Sequence, residues 1–272
     1  MRNSWLFFAR TVVSVLVVTL TTSAVFFSQT KESHLVRVAF SKKLRVCIWP
    51  SYFGISYRNP KTQQLVGMDA DLAQELAKDL GVAVEFVDSS YAKLTDDVTN
   101  DRCDVAMFGI GITPERSAKL RFTSPTLRSD IFALTTRSNR RIKHWSDIDK
   151  PGVVVSVMRG TLSEGVMRDY LKLATLSVVD SPAAREQEVT AGRSDVLMSD
   201  YPYVHHILET SDWGRMLVPD HPLRDTPYAY AMAPGDEAWA QRLEQFVSDI
   251  KRDGRLVKYA ARYKLSSIVV KY

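Results

Sequence analysis

The chain has 272 residues, of which 45% are hydrophobic and 25% charged, with a formal net charge of +5. That is the composition of a globular protein and excludes a disordered or collagen-like chain. Its basic residues are dispersed, in runs no longer than Lys42-Lys43 or Arg140-Arg141, which argues against nucleic acid as a partner. Two cysteines without a CxxC spacing exclude a disulfide-rich scaffold and do not make a zinc or redox motif.

The N-terminal residues have the form of an export signal. Arg2 supplies a basic start, Val12-Val13-Ser14-Val15-Leu16-Val17-Val18-Thr19-Leu20 an apolar core, and Thr22-Ser23-Ala24 the small residues of a cleavage site. No cysteine follows to carry a lipid. The rival is an uncleaved anchor, but Arg10 interrupts the apolar stretch, which falls short of the ~20 residues a spanning helix needs. Residues 1–24 are therefore expected to be a signal peptide; they hold two arginines and no acids, so the mature charge is +3. Export to an oxidising compartment permits a Cys47–Cys103 disulfide.

The rest of the chain alternates strands and helices. Residues 44–49 form a β-rich run ending at Pro50, and residues 51–67 are loop-like, punctuated by Gly54, Asn59-Pro60 and Gly67. Leu72, Leu76 and Leu80 recur every four residues, which predicts a helix over 69–80 stopped at Gly81. Strands follow at 82–87 and 104–109, with a helix over 91–100 between them. The same grammar then restarts, with strands at 153–157, 176–179 and 195–199 and helices at 163–173, 184–191 and 203–209. This predicts an α/β protein of two lobes with parallel sheets. Lobe 1 comprises residues 42–134 and 229–272, and lobe 2 residues 138–226. Two extended segments, 131–136 and 228–232, link them, and helices over 237–253 and 256–263 pack on an existing sheet. In such a topology the ligand lies in the cleft, at the C-terminal ends of the parallel strands.

Four loops qualify, after Trp49, Phe108, Val157 and Ser199. In Gly109-Ile110-Gly111-Ile112-Thr113-Pro114-Glu115-Arg116, the glycines admit a ligand close to the backbone. Thr113-Pro114 has the form of a helix start, whose free N–H groups attract an anion, and Arg116 presents a bidentate fork to a carboxylate; the alternative is a surface pair with Glu115 or Asp130. Arg159-Gly160-Thr161 is a second candidate anion cradle. Asp200, ending the strand over 195–199, either accepts from an ammonium group or caps the following helix. Together these groups complement a zwitterion held between two lobes that close on it.

At this point a resemblance becomes specific. Leu65-Val66-Gly67-Met68-Asp69-Ala70-Asp71-Leu72-Ala73, Cys103-Asp104-Val105-Ala106, Ile112-Thr113-Pro114-Glu115-Arg116, Phe122-Thr123-Ser124-Pro125, Gly160-Thr161, Gly192-Arg193-Ser194-Asp195-Val196 and Asp253-Gly254-Arg255-Leu256 resemble, in order, the family 3 extracellular solute-binding proteins of amino acid ABC importers. The resemblance implies a periplasmic-binding-protein-like fold with a central cleft and two hinge strands, and a monomer that hands its ligand to a permease. It implies that Arg116 holds the ligand's α-carboxylate, with Thr161 assisting, that Asp200 takes the α-amino group, and that Tyr52 covers the ligand. Trp49 stands where receptors for cationic amino acids carry an acid, which argues against Lys or Arg as ligand. Trp49, Tyr52 and Phe108 would line an aromatic pocket for a neutral or aromatic side chain, unless Phe108 belongs to the core. Gly109 and Gly111 offer only backbone, and Arg159 is an alternative partner for an acidic side chain.

Two other functions are weighed. Relatives of this fold include cyclohexadienyl and arogenate dehydratases, which need a general acid shortly after the lobe-2 aspartate. Here Tyr201-Pro202-Tyr203-Val204-His205-His206 supplies no carboxylate before Glu209. The second is a binding accessory of a periplasmic dehydrogenase or sensor, some of which share paired cysteines but lack the Thr-Pro-Glu-Arg loop. No cofactor is implied, and no catalytic residue: the chain has no Ser–His–Asp spacing, P-loop or metal-ligand cluster, and His205 and His206, adjacent on a helix, point too far apart to chelate one metal.

Overall fold

A computed structural model describes residues 32–271 of the chain, and the expected signal peptide lies outside them. The first sheet runs in the order Ala83–Asp88, Lys43–Ile48, Val105–Gly111, Thr226–Met232, Arg121–Phe122, and Leu127–Ser129 also pairs with Thr226–Met232. Lys43–Ile48 pairs in parallel with both its neighbours, as strands joined through crossover helices do. Val105–Gly111 is buried along its whole length, so its near-continuous apolar run reflects a strand covered on both faces. The helix Met68–Leu80 presents Leu72, Leu76 and Ala77 to this core and ends at Gly81, whose φ of +67° suits a residue without a side chain.

The second sheet has the order Thr175–Val179, Val154–Met158, Val196–Asp200, Ile131–Thr136, Gly214–Leu217. Its strand Val196–Asp200 feeds two clusters: Val196 and Met198 pack with Val155, Val157 and Ile131, while Leu197 packs with Leu134, Tyr203 and Val204. Successive side chains of a strand point to opposite faces, so this sheet is sandwiched as well.

The chain leaves the first sheet along Leu127–Ser129 and enters the second directly as Ile131–Thr136. Asp130, between them, accepts backbone N–H bonds from Leu223 at 2.9 Å and Arg224 at 2.7 Å, on the segment that returns to Thr226–Met232. The two crossings are thus tied to each other at a carboxylate. The extended segments expected as links are therefore working strands of the two sheets.

Three local expectations are corrected. Residues 51–67 carry a small antiparallel sheet of Ser51–Tyr52, Ser56–Arg58 and Leu65–Val66. Strands of two or three residues are too short for alternation to declare them. Thr113-Pro114 starts only a single turn, Pro114–Ser117, so the helix expected at this loop brings no long-helix dipole to Arg116. A helix His34–Ser41, not expected from the sequence, precedes the first strand and packs Val38 into the first core. His34 bonds Asp236, and Arg37 bonds Asp101 and Asp104.

The closing helices Glu237–Arg252 and Arg255–Arg262 complete the first core with Trp239, Leu243, Phe246 and Leu256. Trp239 Nε1 donates to the carbonyl of Asp104 at 2.8 Å. Cys47 and Cys103 are joined by a disulfide that ties Lys43–Ile48 to the entry of Val105–Gly111. Among the described residues no helix is long and apolar enough to cross a membrane.

Candidate functional site

A cavity opens between the sheets and is lined from both. The C-terminal ends of the strands supply it: Trp49 and Tyr52 follow Lys43–Ile48, Arg116 follows Val105–Gly111, Thr161 follows Val154–Met158, and Asp200 ends Val196–Asp200. Gly109, Gly111, Met158, Tyr91, Arg185, Tyr203 and Tyr228 complete its main surfaces. Of the ligand residues expected from sequence, Trp49, Tyr52, Gly109, Gly111, Arg116, Thr161 and Asp200 are brought to this one cavity. Thr113 and Gly160 line an adjoining hollow, with Arg116 and Thr161 shared between the two.

Arg116 is anchored by carbonyls and forms no ion pair among the described residues. Its Nη1 donates to Gly111 O at 2.9 Å and its Nη2 to Gly160 O at 3.2 Å. The guanidinium lies 5.4 Å from the Tyr91 ring centroid. Burial draws its pKa below the usual arginine value, opposed by Tyr91, Tyr228 and Glu115. The bond to Gly160 crosses between the sheets, and Gly160 presses on Ala92: a Cβ there would lie 2.9 Å from the Ala92 nitrogen. Neither surface pair expected as the alternative forms, since Asp130 is engaged by backbone amides.

Asp200 occupies the N-cap position of the helix Tyr201–Thr210, yet its side chain makes no capping bond. It turns into the cleft. Tyr52 and Tyr228, both from the first sheet's side, donate their hydroxyls to the same oxygen, Oδ2, the second at 2.7 Å. Burial, reinforced by the Asp200 charge, pushes the pKa of Tyr52 and Tyr228 far above the ordinary phenol value. Both are therefore neutral donors at physiological pH. Oδ1 receives only a long contact of 3.4 Å from Ser199 Oγ, which leaves acceptor capacity facing the cavity.

The aromatic wall differs from the one expected. Trp49 packs against Tyr52 and Tyr91 with centroids 5.3 and 5.1 Å apart. Phe108 is fully buried behind them, 5.3 Å from Tyr91, and belongs to the core; Tyr91 takes the place expected of it. Arg159 is also corrected. It is exposed and pairs with Asp180 at 2.6 Å, away from the cavity. The cradle at Gly160-Thr161 is partly closed on itself, since Gly160 N donates to Glu164 Oε2 at 2.7 Å and Thr161 Oγ1 to Met158 O at 2.7 Å.

Gly109 is required where it stands. Its φ is +62°, a Cβ would lie 2.7 Å from Tyr52 Cε1, and its N–H donates to Asp69 Oδ2 at 2.8 Å. Asp69 is sealed in the core, and burial pushes its pKa up to about 7 against the opposing Gly109 bond. The buried Tyr230 hydroxyl beside it also opposes that rise.

Sequence reasoning missed Tyr91, Arg185, Tyr203 and Tyr228. Tyr91 sits in a turn and Tyr228 on a strand taken for a link, so neither carried a motif. Arg185 did leave a signal: with Val189 it occupies the buried face of the helix Pro182–Thr190, an arginine on an apolar stripe. One cluster of metal-ligand types, His34, Asp101 and Asp104, lies outside the cavity and is filled by the guanidinium groups of Arg37 and Arg45. His205 and His206 stack instead on Tyr201 and Phe53.

The sequence profile of the bacterial extracellular solute-binding proteins, family 3, matches residues 44–266. The chain is 32% identical over 235 residues to a cyclohexadienyl dehydratase of Pseudomonas aeruginosa, covering 84% of this chain and 85% of that protein. It is 25% identical over 194 residues to the L-cystine-binding protein TcyJ of Escherichia coli, covering 71% and 72%. Among solved structures it resembles the ancestral amino acid-binding protein AncCDT-1, a precursor of cyclohexadienyl dehydratase, with a TM-score of 0.79 and 29% identity over 85% of this chain and 99% of that one.

Proposed function

The chain belongs to the bacterial extracellular solute-binding proteins, family 3, and we propose that it is the periplasmic receptor that delivers an amino acid or similar zwitterion to the permease of an ABC importer. One observation carries the proposal. Arg116, on a loop after the first sheet, and Asp200, at the end of a strand in the second, face a single cavity. A guanidinium without an ion pair suits a carboxylate; a carboxylate oxygen with spare acceptor capacity suits an ammonium group. Each sits beside a group of the opposite lobe, Arg116 with Gly160 and Asp200 with Tyr52 and Tyr228. Ligand binding and lobe closure are then the same event. The rings of Trp49, Tyr52 and Tyr91 support a ligand with an aromatic or apolar body, and two arginines on the lining speak against a cationic side chain.

The test is a thermal-shift screen of the amino acids. A ligand at one hundred times its dissociation constant should stabilise the protein by about 2.7 kcal/mol. A screen in which no amino acid moves the transition contradicts the receptor.

The similarity to a dehydratase supports a second reading, in which the cleft eliminates water from prephenate or arogenate. Such chemistry needs a proton donor at the leaving hydroxyl. Among the described residues lining the cavity, Asp200 is the one carboxyl group, and two tyrosine hydroxyls already donate to it. That arrangement favours a bound ionised carboxylate over an acid with a proton to give. Incubation with prephenate and arogenate, with product detection, separates the readings; turnover would make this an enzyme.

A further inference from the structure

The charge of the cavity is not balanced by a zwitterion alone. Arg116 and Asp200 answer a carboxylate and an ammonium group, which leaves Arg185. This side chain lines the cavity and is only 2% exposed. Its Nη1 donates to Met198 O at 2.9 Å, but its Nε is buried with no partner. No carboxylate among the described residues forms an ion pair with it; its neighbour Glu186 takes the hydroxyl of Tyr203 instead. The guanidinium lies 4.4 Å from the centroid of the Tyr203 ring, which orients it without neutralising it. Arginines this enclosed are almost always paired, because a buried cation without a counter-charge is costly. The cavity it lines is where a ligand can bring that counter-charge.

We infer that Arg185 recognises a second acidic group on the ligand, so that the cleft selects an amino acid whose side chain ends in an anion. The inference rests on the receptor reading and sharpens it: the side chain crosses the aromatic wall and terminates on the guanidinium. It replaces the neutral side chain expected from the sequence, where Arg159 was the only cation considered for this role and the fold instead turns Arg159 out to Asp180. Arg185 is placed for this by its helix. Ser181 caps Pro182–Thr190, accepting from Ala184 N, and Arg185 and Val189 face inward one turn apart.

The experiment is calorimetry of the full chain with two pairs of probes, L-glutamate against L-glutamine and L-4-carboxyphenylalanine against L-phenylalanine. The acid of at least one pair should bind about tenfold or more tighter than its uncharged partner, as a charged hydrogen bond implies. Arg185→Gln should bring that ratio to about one, and Arg185→Lys should keep part of it. The ratio in the unaltered protein is a test in itself should a variant fail to fold. Uncharged probes binding as tightly as the acids, or a ratio that survives Arg185→Gln, overturns the inference while leaving the receptor intact. A neutral amino acid that outcompetes every acid does the same. Failure of every amino acid to bind removes the receptor reading and the inference with it.

Discussion

Tyr228, on a strand of the first sheet, donates its hydroxyl to Oδ2 of Asp200, which ends a strand of the second, at 2.7 Å. Tyr52 donates to the same oxygen. The proposed ammonium acceptor is therefore also the bolt between the lobes. Both phenols come from one side and the carboxylate from the other, so opening the cleft breaks both bonds.

Tyr228→Phe removes one donor and keeps the ring. A hydrogen bond to a charged group contributes about 1.5–3 kcal/mol. The closed state should lose that much, and ligand affinity measured by calorimetry should fall by roughly 10- to 100-fold. Unchanged affinity would show that the bond is not part of closure.

Gly109→Ala tests the close approach beneath Tyr52. The added Cβ would meet Tyr52 Cε1 at 2.7 Å, on a backbone held at φ +62°. The left-handed conformation alone should cost ~1–2 kcal/mol, read by chemical denaturation. Affinity should fall as well, because the ring that must give way is the one bonded to Asp200.

These two predictions also show what the sequence could and could not declare. Strand–helix alternation and the motifs around Arg116 and Asp200 are local, so the two-lobe α/β fold and the two proposed poles of the site could be read directly. Phe108 could not be assigned, because an apolar residue ending a buried strand looks alike whether it faces core or cleft; a neighbour in space, Tyr91, decides it. Tyr228 was invisible for a related reason. Its role depends on which strand Thr226–Met232 pairs with, Val105–Gly111, and that pairing joins residues more than a hundred positions apart. Arg159 was misjudged because sequence proximity to Gly160-Thr161 says nothing of which way a side chain leaves a turn.

Asp69 sets an expected pH dependence. Burial raises its pKa from 3.8 to about 7, so between those values the folded protein holds a proton that the unfolded chain has released. Stability from this group is thus fully present at low pH and declines as pH rises towards 7. Asp69→Asn should remove the decline: the variant's melting temperature should gain on that of the unaltered protein as pH is raised from 4 to 7. Parallel pH profiles would show that Asp69 does not titrate in this range.

The Cys47–Cys103 bridge spans a sequence separation of 56 residues. Loop-closure entropy gives such a crosslink ~4 kcal/mol. Reduction should lower the melting temperature by on the order of 10 °C, and intact mass before and after reduction should differ by two hydrogens.

The account stands or falls on a zwitterion held at one end by Arg116 and at the other by Asp200. The most direct test takes the tightest-binding amino acid and compares it by calorimetry with its N-acetyl and its carboxamide derivatives, in the unaltered protein and in Arg116→Ala and Asp200→Asn. The account predicts that each derivative binds at least about tenfold more weakly, and that Arg116→Ala abolishes the penalty for masking the carboxylate and Asp200→Asn that for masking the amine. Equal affinity for the parent and either derivative would contradict it.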